Sequence, residues 1–288
     1  MRILILGGDG MLGHQLLKRL RHFHAVKVTL RRDLSAYKDI GLFSEGNAYA
    51  GLDIRTGDEI LGILTDCRPE VVVNCIGIVK QRPAAKESVP SLEVNALFPH
   101  RLALMCQAVP ARLLQISTDC VFSGRKGYYK EEDIPDAEDL YGRTKFLGEL
   151  HHPHCLTLRT SIIGHELSHS TGLVEWLLSQ KGGHCRGFTR AFFSGLTTAA
   201  LADVLADVIE KFPSMNGLYH VSSHPISKYE LLQLINEIYH LGVTIEKDAE
   251  FICDRSLDST LFRRTTGWKP PGWRDMILRM HQDWSAEE

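Results

Sequence analysis

A parallel β-sheet wrapped by helices on both faces is the fold class that this sequence predicts. Two features carry the prediction. Short apolar runs alternate with helix-spaced segments through the first half of the chain, and a glycine-rich turn, "LGGDGMLG" (6–13), joins the first run to the first helical segment. Strands that alternate with helices pair in parallel. Strands buried on both faces read as unbroken apolar runs, which is how these read.

The strand candidates are "RILIL" (2–6), "AVKVTL" (25–30), "EVVVNCIG" (70–77), "RLLQIS" (112–117), "LTLRT" (156–160) and "GLYHVSS" (217–223). Helices are predicted at 11–23, at 57–69 with Pro69 as the stop, at 91–109 despite Pro99, at 141–152 and at 197–212. A further helix at 227–240 opens on Ser227 with Glu230 three residues later, the spacing of a capping box. "GWKPPGW" (267–273) is a turn before a last helix. Trp176 has helical neighbours in "LVEWLLSQ" and is expected in the core rather than as a stacking platform. With 288 residues, the chain can form one large core and a smaller satellite. The expected division gives 1–164 and 195–223 to a dinucleotide-binding domain, and 165–194 and 224–288 to a smaller substrate-binding domain.

Composition narrows the function classes. Apolar residues make up 44% and charged residues 24%, and the formal net charge is −2. No general attraction to nucleic acid or a membrane surface is expected. No apolar run reaches membrane-spanning length, and "MRILILGG" lacks the form of a signal peptide. Seven scattered cysteines without a Cys-x-x-Cys pair point to a reduced, cytoplasmic protein. "ELHHPHC" (149–155) clusters His151, His152, His154 and Cys155, but a proline interrupts it and zinc-ligand spacing is missing. It is expected to be an ordinary loop, and no metal site is expected.

The glycine turn contains Gly7-x-x-Gly10-x-x-Gly13 with strand before and helix after. The first glycine permits the tight turn, the second lets a pyrophosphate approach, and the third lets helix and strand pack closely. Gly7, Gly10, Met11, Leu12 and Gly13 are therefore the candidate dinucleotide contacts, with the helix N-terminus facing phosphate. About 20 residues on, where an acidic ribose partner for NAD usually stands, the sequence reads Arg31, Arg32, Asp33. Guanidinium suits a 2′-phosphate, so the cofactor expectation is NADP, with NAD left open by Asp33.

"YGRTK" places Tyr141 and Lys145 four apart, on one face of a helix. A tyrosine needs its pKa of about 10 lowered to trade protons near neutrality, and a neighbouring ammonium does this by favouring the phenolate. A strand ending in "STD" (117–119) precedes this helix, and ligands of such sheets gather at C-terminal strand ends. A hydroxyl there could meet the carbonyl oxygen that Tyr141 meets.

The ordered set "GGDGMLG", "VVVNCIG", "ISTDCVFSG", "YGRTKFLGE", "LRTSIIG" and "CDRSLDSTLFRRTTGWKP" resembles the extended short-chain dehydrogenase/reductases of Rossmann fold. It is most similar to the dTDP-4-dehydrorhamnose reductase group, over nearly the whole chain. The resemblance implies that Thr118 orients the substrate carbonyl, that Tyr141 is the acid/base and that Lys145 is its activator and a nicotinamide-ribose ligand. It also implies Asp53 and Ile54 beside the adenine, Cys75, Ile76 and Gly77 under the cofactor phosphates and ribose, and Asn95 behind the lysine. "FFSGLTT" (192–198) loosely resembles a substrate-side segment, with Thr197 where the family has proline.

Related nucleotide-sugar dehydratases carry Asp-Glu after the threonine, whereas here Asp119 is followed by Cys120. Elimination is thus disfavoured, and NAD(P)H-dependent reduction of a keto group is expected, at C4 of a nucleotide-linked 4-keto-6-deoxy sugar. On the substrate side, Lys80, Arg82, Asp119 and Arg255 are candidates, Arg255 for a diphosphate; an ordinary surface role stays open for Lys80, Arg82 and Arg255. The alternatives are a non-catalytic NADP-binding regulatory subunit and a nucleotide-sugar epimerase. The resemblance also allows a homodimer.

Overall fold

The computed structural model describes residues 1–80, 86–167 and 171–286. In chain order the chain forms β1 (Arg2–Leu6), α1 (Met11–Leu20), β2 (Ala25–Thr29), β3 (Ala48–Tyr49), α2 (Gly57–Cys67) and β4 (Val71–Asn74). Next come α3 (Ser88–Ser91), a π-helical turn (Leu92–Leu97), α4 (Phe98–Ala108), β5 (Arg112–Thr118), α5 (Leu140–Leu147), β6 (Cys155–Thr160) and β7 (Ile162–Ile163). The remainder is α6 (Leu173–Leu178), β8 (His184–Phe193), β9 (Leu196–Thr197), α7 (Thr198–Lys211), β10 (Gly217–His220), β11 (Ile226–Ser227), α8 (Lys228–Ile238), β12 (Thr244–Asp254), α9 (Thr260–Thr266) and α10 (Trp273–Ser285).

Two compact units result: Met1–Ser117, Asp139–Leu158 and Ala202–Leu218 form the first, and Thr118–Glu138, Arg159–Leu201 and Tyr219–Glu288 the second. A seven-stranded sheet has the order β10-β6-β5-β4-β1-β2-β3. The pairs β1/β2, β1/β4, β2/β3 and β4/β5 are parallel, as expected. The strand order reverses beside β1, which is flanked by β2 and β4. Ligands of such sheets bind at the carboxyl ends of the strands flanking that reversal. The core of this unit includes Leu4, Leu6, Val72, Leu102 and Leu113, all without solvent exposure.

The turn after β1 shows why its glycines are needed. Gly7 has φ of 82°, in the left-handed region. A Cβ on Gly13 would lie 2.0 Å from the Gly7 carbonyl oxygen. The first turn of α1 therefore presses directly onto the loop. Thr29, at the end of β2, fixes the loop from the other side: its Oγ1 accepts from Gly7 N at 3.0 Å and its carbonyl from Gly8 N at 2.9 Å.

The second unit holds a three-stranded sheet, β11-β8-β12, in which β12 runs parallel to β8 and β11 antiparallel. Helix α8 packs on it at Gly187, where a Cβ would lie 2.9 Å from Tyr229 Cα. The anticipated cap is present: Ser227 Oγ accepts from Glu230 N, and Glu230 accepts from Ser227 N. Trp176 departs from expectation: Val174 and Leu177 take the buried face of α6, leaving the tryptophan 39% exposed. "ELHHPHC" passes through a turn into β6, whose first residue is Cys155, and His154 Nε2 lies 2.9 Å from the Ala103 carbonyl.

Gly13→Ala should destabilise the protein by roughly 1–3 kcal/mol, because the new methyl overpacks a backbone contact with no room to relax. Urea unfolding measures this, and an unchanged midpoint would contradict the packing described.

Candidate active site

In the first unit, the loop after β1 meets the chain leaving β4. A Cβ on Gly7 would lie 3.0 Å from Ile76 Cγ1 and 3.5 Å from the Cys75 carbonyl carbon. Gly10 caps α1 without a side-chain hydrogen bond, so the helix N-terminus is not blocked by its own cap. The residues expected under the cofactor phosphates are thus assembled at the strand-order reversal. Arg31 and Arg32 follow β2, are exposed, and among the described residues neither guanidinium makes a hydrogen bond or ion pair. Asp53 is bound by Arg55, whose Nε donates at 2.9 Å. That guanidinium, with a smaller contribution from Arg31, lowers the Asp53 pKa to about 2. Ile54 packs against the apolar core of the unit.

Helix α5 starts at its cap Asp139, which accepts from Gly142 N at 2.8 Å. Its other end seats on the π-helical turn: a Cβ on Gly148 would lie 1.9 Å from the Asn95 carbonyl oxygen. Asn95, 1% exposed, ties three segments together. Its Oδ1 accepts from Ile78 N at 2.9 Å, and its Nδ2 donates to Ile78 O at 3.1 Å and to Thr144 Oγ1 at 3.3 Å. The chain beyond β4 is thereby held against α5, next to Lys145.

Lys145 is 7% exposed, and its Nζ donates to Ile116 O at 2.7 Å, the carbonyl just before the end of β5. Burial lowers its pKa to about 8, opposed by the charge of Glu149 and by Cys75. Glu149 is itself buried and accepts from Ser117 Oγ at 2.6 Å. Gly77 leaves space here: a Cβ on it would lie 3.3 Å from Asn95 Oδ1 and 3.8 Å from Lys145 Nζ. Tyr141 stands one turn before Lys145 on α5 and is partly exposed. Lys80 is paired with Asp139 at 2.6 Å, and Arg82 lies outside the described residues.

Thr118, Asp119 and Arg255 belong to the second unit. Thr118 Oγ1 accepts from Cys120 N at 3.1 Å and donates to Asp119 Oδ1 at 3.2 Å. Asp119 is 5% exposed. Its burial raises the carboxyl pKa, while Arg255 and then Lys228 act to lower it. Arg255 Nε donates to Phe122 O at 2.8 Å. Sequence reasoning missed Glu149 and Lys228. The fixed spacing of Glu149, four residues after Lys145, was the one available signal for the first.

A glycine loop at the reversal of a parallel sheet, followed by a Tyr-x-x-x-Lys helix with a buried lysine, defines a dinucleotide-binding protein of short-chain dehydrogenase/reductase type. The chain belongs to the RmlD substrate binding domain family, whose model matches residues 1–285. It is similar to the methionine adenosyltransferase 2 subunit beta of Bos taurus, 27% identical over 256 residues, covering 83% of this chain and 72% of the relative. It is also similar to the dTDP-4-dehydrorhamnose reductase of Streptomyces griseus, 36% identical over 149 residues, covering 51% of this chain and 43% of that protein. In fold it is like the Bacillus anthracis dTDP-4-dehydrorhamnose reductase solved in complex with NADP, with a TM-score of 0.79, 24% identity, and coverage of 98% and 99% of the two chains.

The lowered Lys145 pKa has a defined thermodynamic sign. Below pH 8 the folded and unfolded chains both carry the proton, and burial costs roughly 3 kcal/mol. Between about 8 and 10.5 the folded chain loses its proton first, so this group's penalty fades and its contribution to stability rises with pH. NMR titration of labelled lysine should give Lys145 a midpoint near 8. A midpoint near the ordinary 10.5 would contradict the described burial.

Proposed function

We propose that this protein is an NADPH-dependent reductase acting on the keto group of a nucleotide-linked sugar, at C4 of a 4-keto-6-deoxy hexose. The observation that carries the reading is Lys145. It is a buried ammonium with a pKa of about 8, one helical turn from Tyr141 and behind the strand end that leads to Thr118. Perturbed titratable groups of this kind mark chemistry.

The residues present fit a dinucleotide. The uncapped N-terminus of α1 and the close approach of Gly7 and Gly13 leave backbone open to a pyrophosphate. Arg31 and Arg32 have exposed guanidiniums without a hydrogen bond or ion pair among the described residues, suited to hold a 2′-phosphate, which favours NADP over NAD. When bound, the reduced cofactor supplies the hydride.

The chain's own residues supply the proton and the positive surroundings. The hydroxyl of Tyr141 gives its proton to the oxygen of the reduced carbonyl, so C=O becomes CH–OH. The Thr118 hydroxyl turns from Asp119 Oδ1 to donate its one hydrogen bond to the same developing oxyanion. The Lys145 ammonium favours the phenolate left behind on Tyr141, which recovers its proton from water. Asn95 keeps Lys145 and the chain beyond β4 in register.

Purified protein should oxidise NADPH with at least one member of a panel of keto-sugar nucleotides. Tyr141→Phe should lower kcat by roughly 10²–10⁴-fold with cofactor binding unchanged. Near-normal turnover in that variant would contradict the assignment. A second reading is kept by the similarity to methionine adenosyltransferase 2 subunit beta. A non-catalytic subunit of another enzyme would turn over no keto-sugar nucleotide while associating tightly with its partner. Replacing both Arg31 and Arg32 by alanine should shift the preference from NADPH towards NADH by roughly 10- to 100-fold, the worth of a charge-assisted contact. An unmoved NADPH/NADH ratio would remove both residues from the cofactor site.

A further inference from the structure

The second unit contains a cation that the reduction mechanism does not use. Lys228 is the first residue of α8, directly after the Ser227 cap. A positive charge there opposes the helix dipole, which favours anions at that end. The side chain is half-buried, and desolvation, the main influence on its ammonium, lowers its pKa. Its Nζ sits 4.6 Å from the centre of the Phe193 ring on β8. Among the described residues, that ammonium has no hydrogen-bond acceptor and no carboxylate within ion-pair distance.

The charged groups acting on Lys228 are Asp119, which favours its charge, and Arg255, which disfavours it. Both also act on each other's surroundings, since Arg255 and Lys228 are the two cations that pull down the Asp119 pKa. Arg255 is oriented by its bond to Phe122 O, and its Nη1 lies 3.8 Å from Cys120 Sγ. Asp119 in turn accepts the Thr118 hydroxyl. Ser227 and Asp254 both pair with Phe192, on opposite sides of β8, so Lys228 and Arg255 each follow a residue of that rung, and both act on the buried Asp119. An ammonium left partly desolvated and without an acceptor is costly, and a bound anion relieves that cost.

We propose that Lys228 is a ligand-binding residue whose ammonium, together with the Arg255 guanidinium, takes a phosphoryl group of a nucleoside-diphosphate-linked substrate, with Asp119 as the resident counter-ion. The choice of phosphate rests on the nucleotide-sugar reading above. Each phosphoryl of such a diester carries one negative charge, which matches the one positive charge in excess at the cluster.

The test is calorimetric titration of the full chain, saturated with NADP, with UDP, dTDP and inorganic pyrophosphate as probes. Lys228→Met should weaken whichever probes bind by roughly 10- to 100-fold, the worth of a hydrogen bond to a charged group. Lys228→Arg should stay within a few-fold of the wild type. The proposal is overturned if Lys228→Met keeps wild-type affinity, if Lys228→Arg loses as much as Lys228→Met, or if the wild type binds none of the three. If pyrophosphate alone binds and Lys228→Met loses it, the Lys228 assignment stands and the nucleotide-sugar reading is what fails.

Discussion

The buried ammonium of Lys145 is the constraint around which the first unit is arranged. A lysine held below 10% exposure must find acceptors or give up its charge. Ile116 O supplies a hydrogen bond from the strand, and Glu149 supplies a charge from just beyond the same helix. That requirement fixes α5 against β5, because the helix must deliver Lys145 to the last carbonyls of the strand. Ser117 then serves Glu149 rather than a substrate, which accounts for one of the two hydroxyls at the strand end.

The same helix needs a close neighbour on its other side, and the π-helical turn provides it. The extra residue of a π turn shifts side chains out of helical phase, and such turns concentrate at functional sites. Here it carries Asn95, which bonds both Ile78 and Thr144. Gly148 lets the two backbones touch, since a side chain there would overlap Asn95 O. Asn95 and Gly77 thereby place the chain leaving β4 beside Lys145, and Ile76 places it beside the glycine loop. Cofactor-binding and proton-transfer candidates are coupled through backbone contacts, not through long side chains.

Much of this was legible from residue order because it depends on local rules. Glycines at 7, 10 and 13 are demanded by φ and by backbone approach, and the Ser227–Glu230 cap is a spacing rule. Unbroken apolar runs gave the sheet strands. What stayed hidden depends on tertiary context. Strands β8 and β12 read as mixed polar sequence because charged residues are interleaved along both, with Arg186 opposite Glu246 and Gly187 beneath α8. The π turn looks like ordinary helix in sequence, since Pro99 falls near the start of α4, where proline is tolerated. Trp176 misled because periodicity on a six-residue helix gives too little phase to choose a buried face. Lys228 carries no motif, and only its place in the fold near Asp119 and Arg255 singles it out.

The central claim is that Lys145, tuned by burial and by Glu149, sets the protonation state in which the site works. The direct measurement is the pH dependence of kcat/KM for NADPH-dependent reduction, in the wild type and in Glu149→Gln. Activity should fall as pH rises through a value near 8, where Lys145 loses its proton. Glu149 raises that pKa, so removing its charge should move the basic limb to lower pH. A basic limb that lies near 10.5 in the wild type, or that stays in place in Glu149→Gln, would contradict the account.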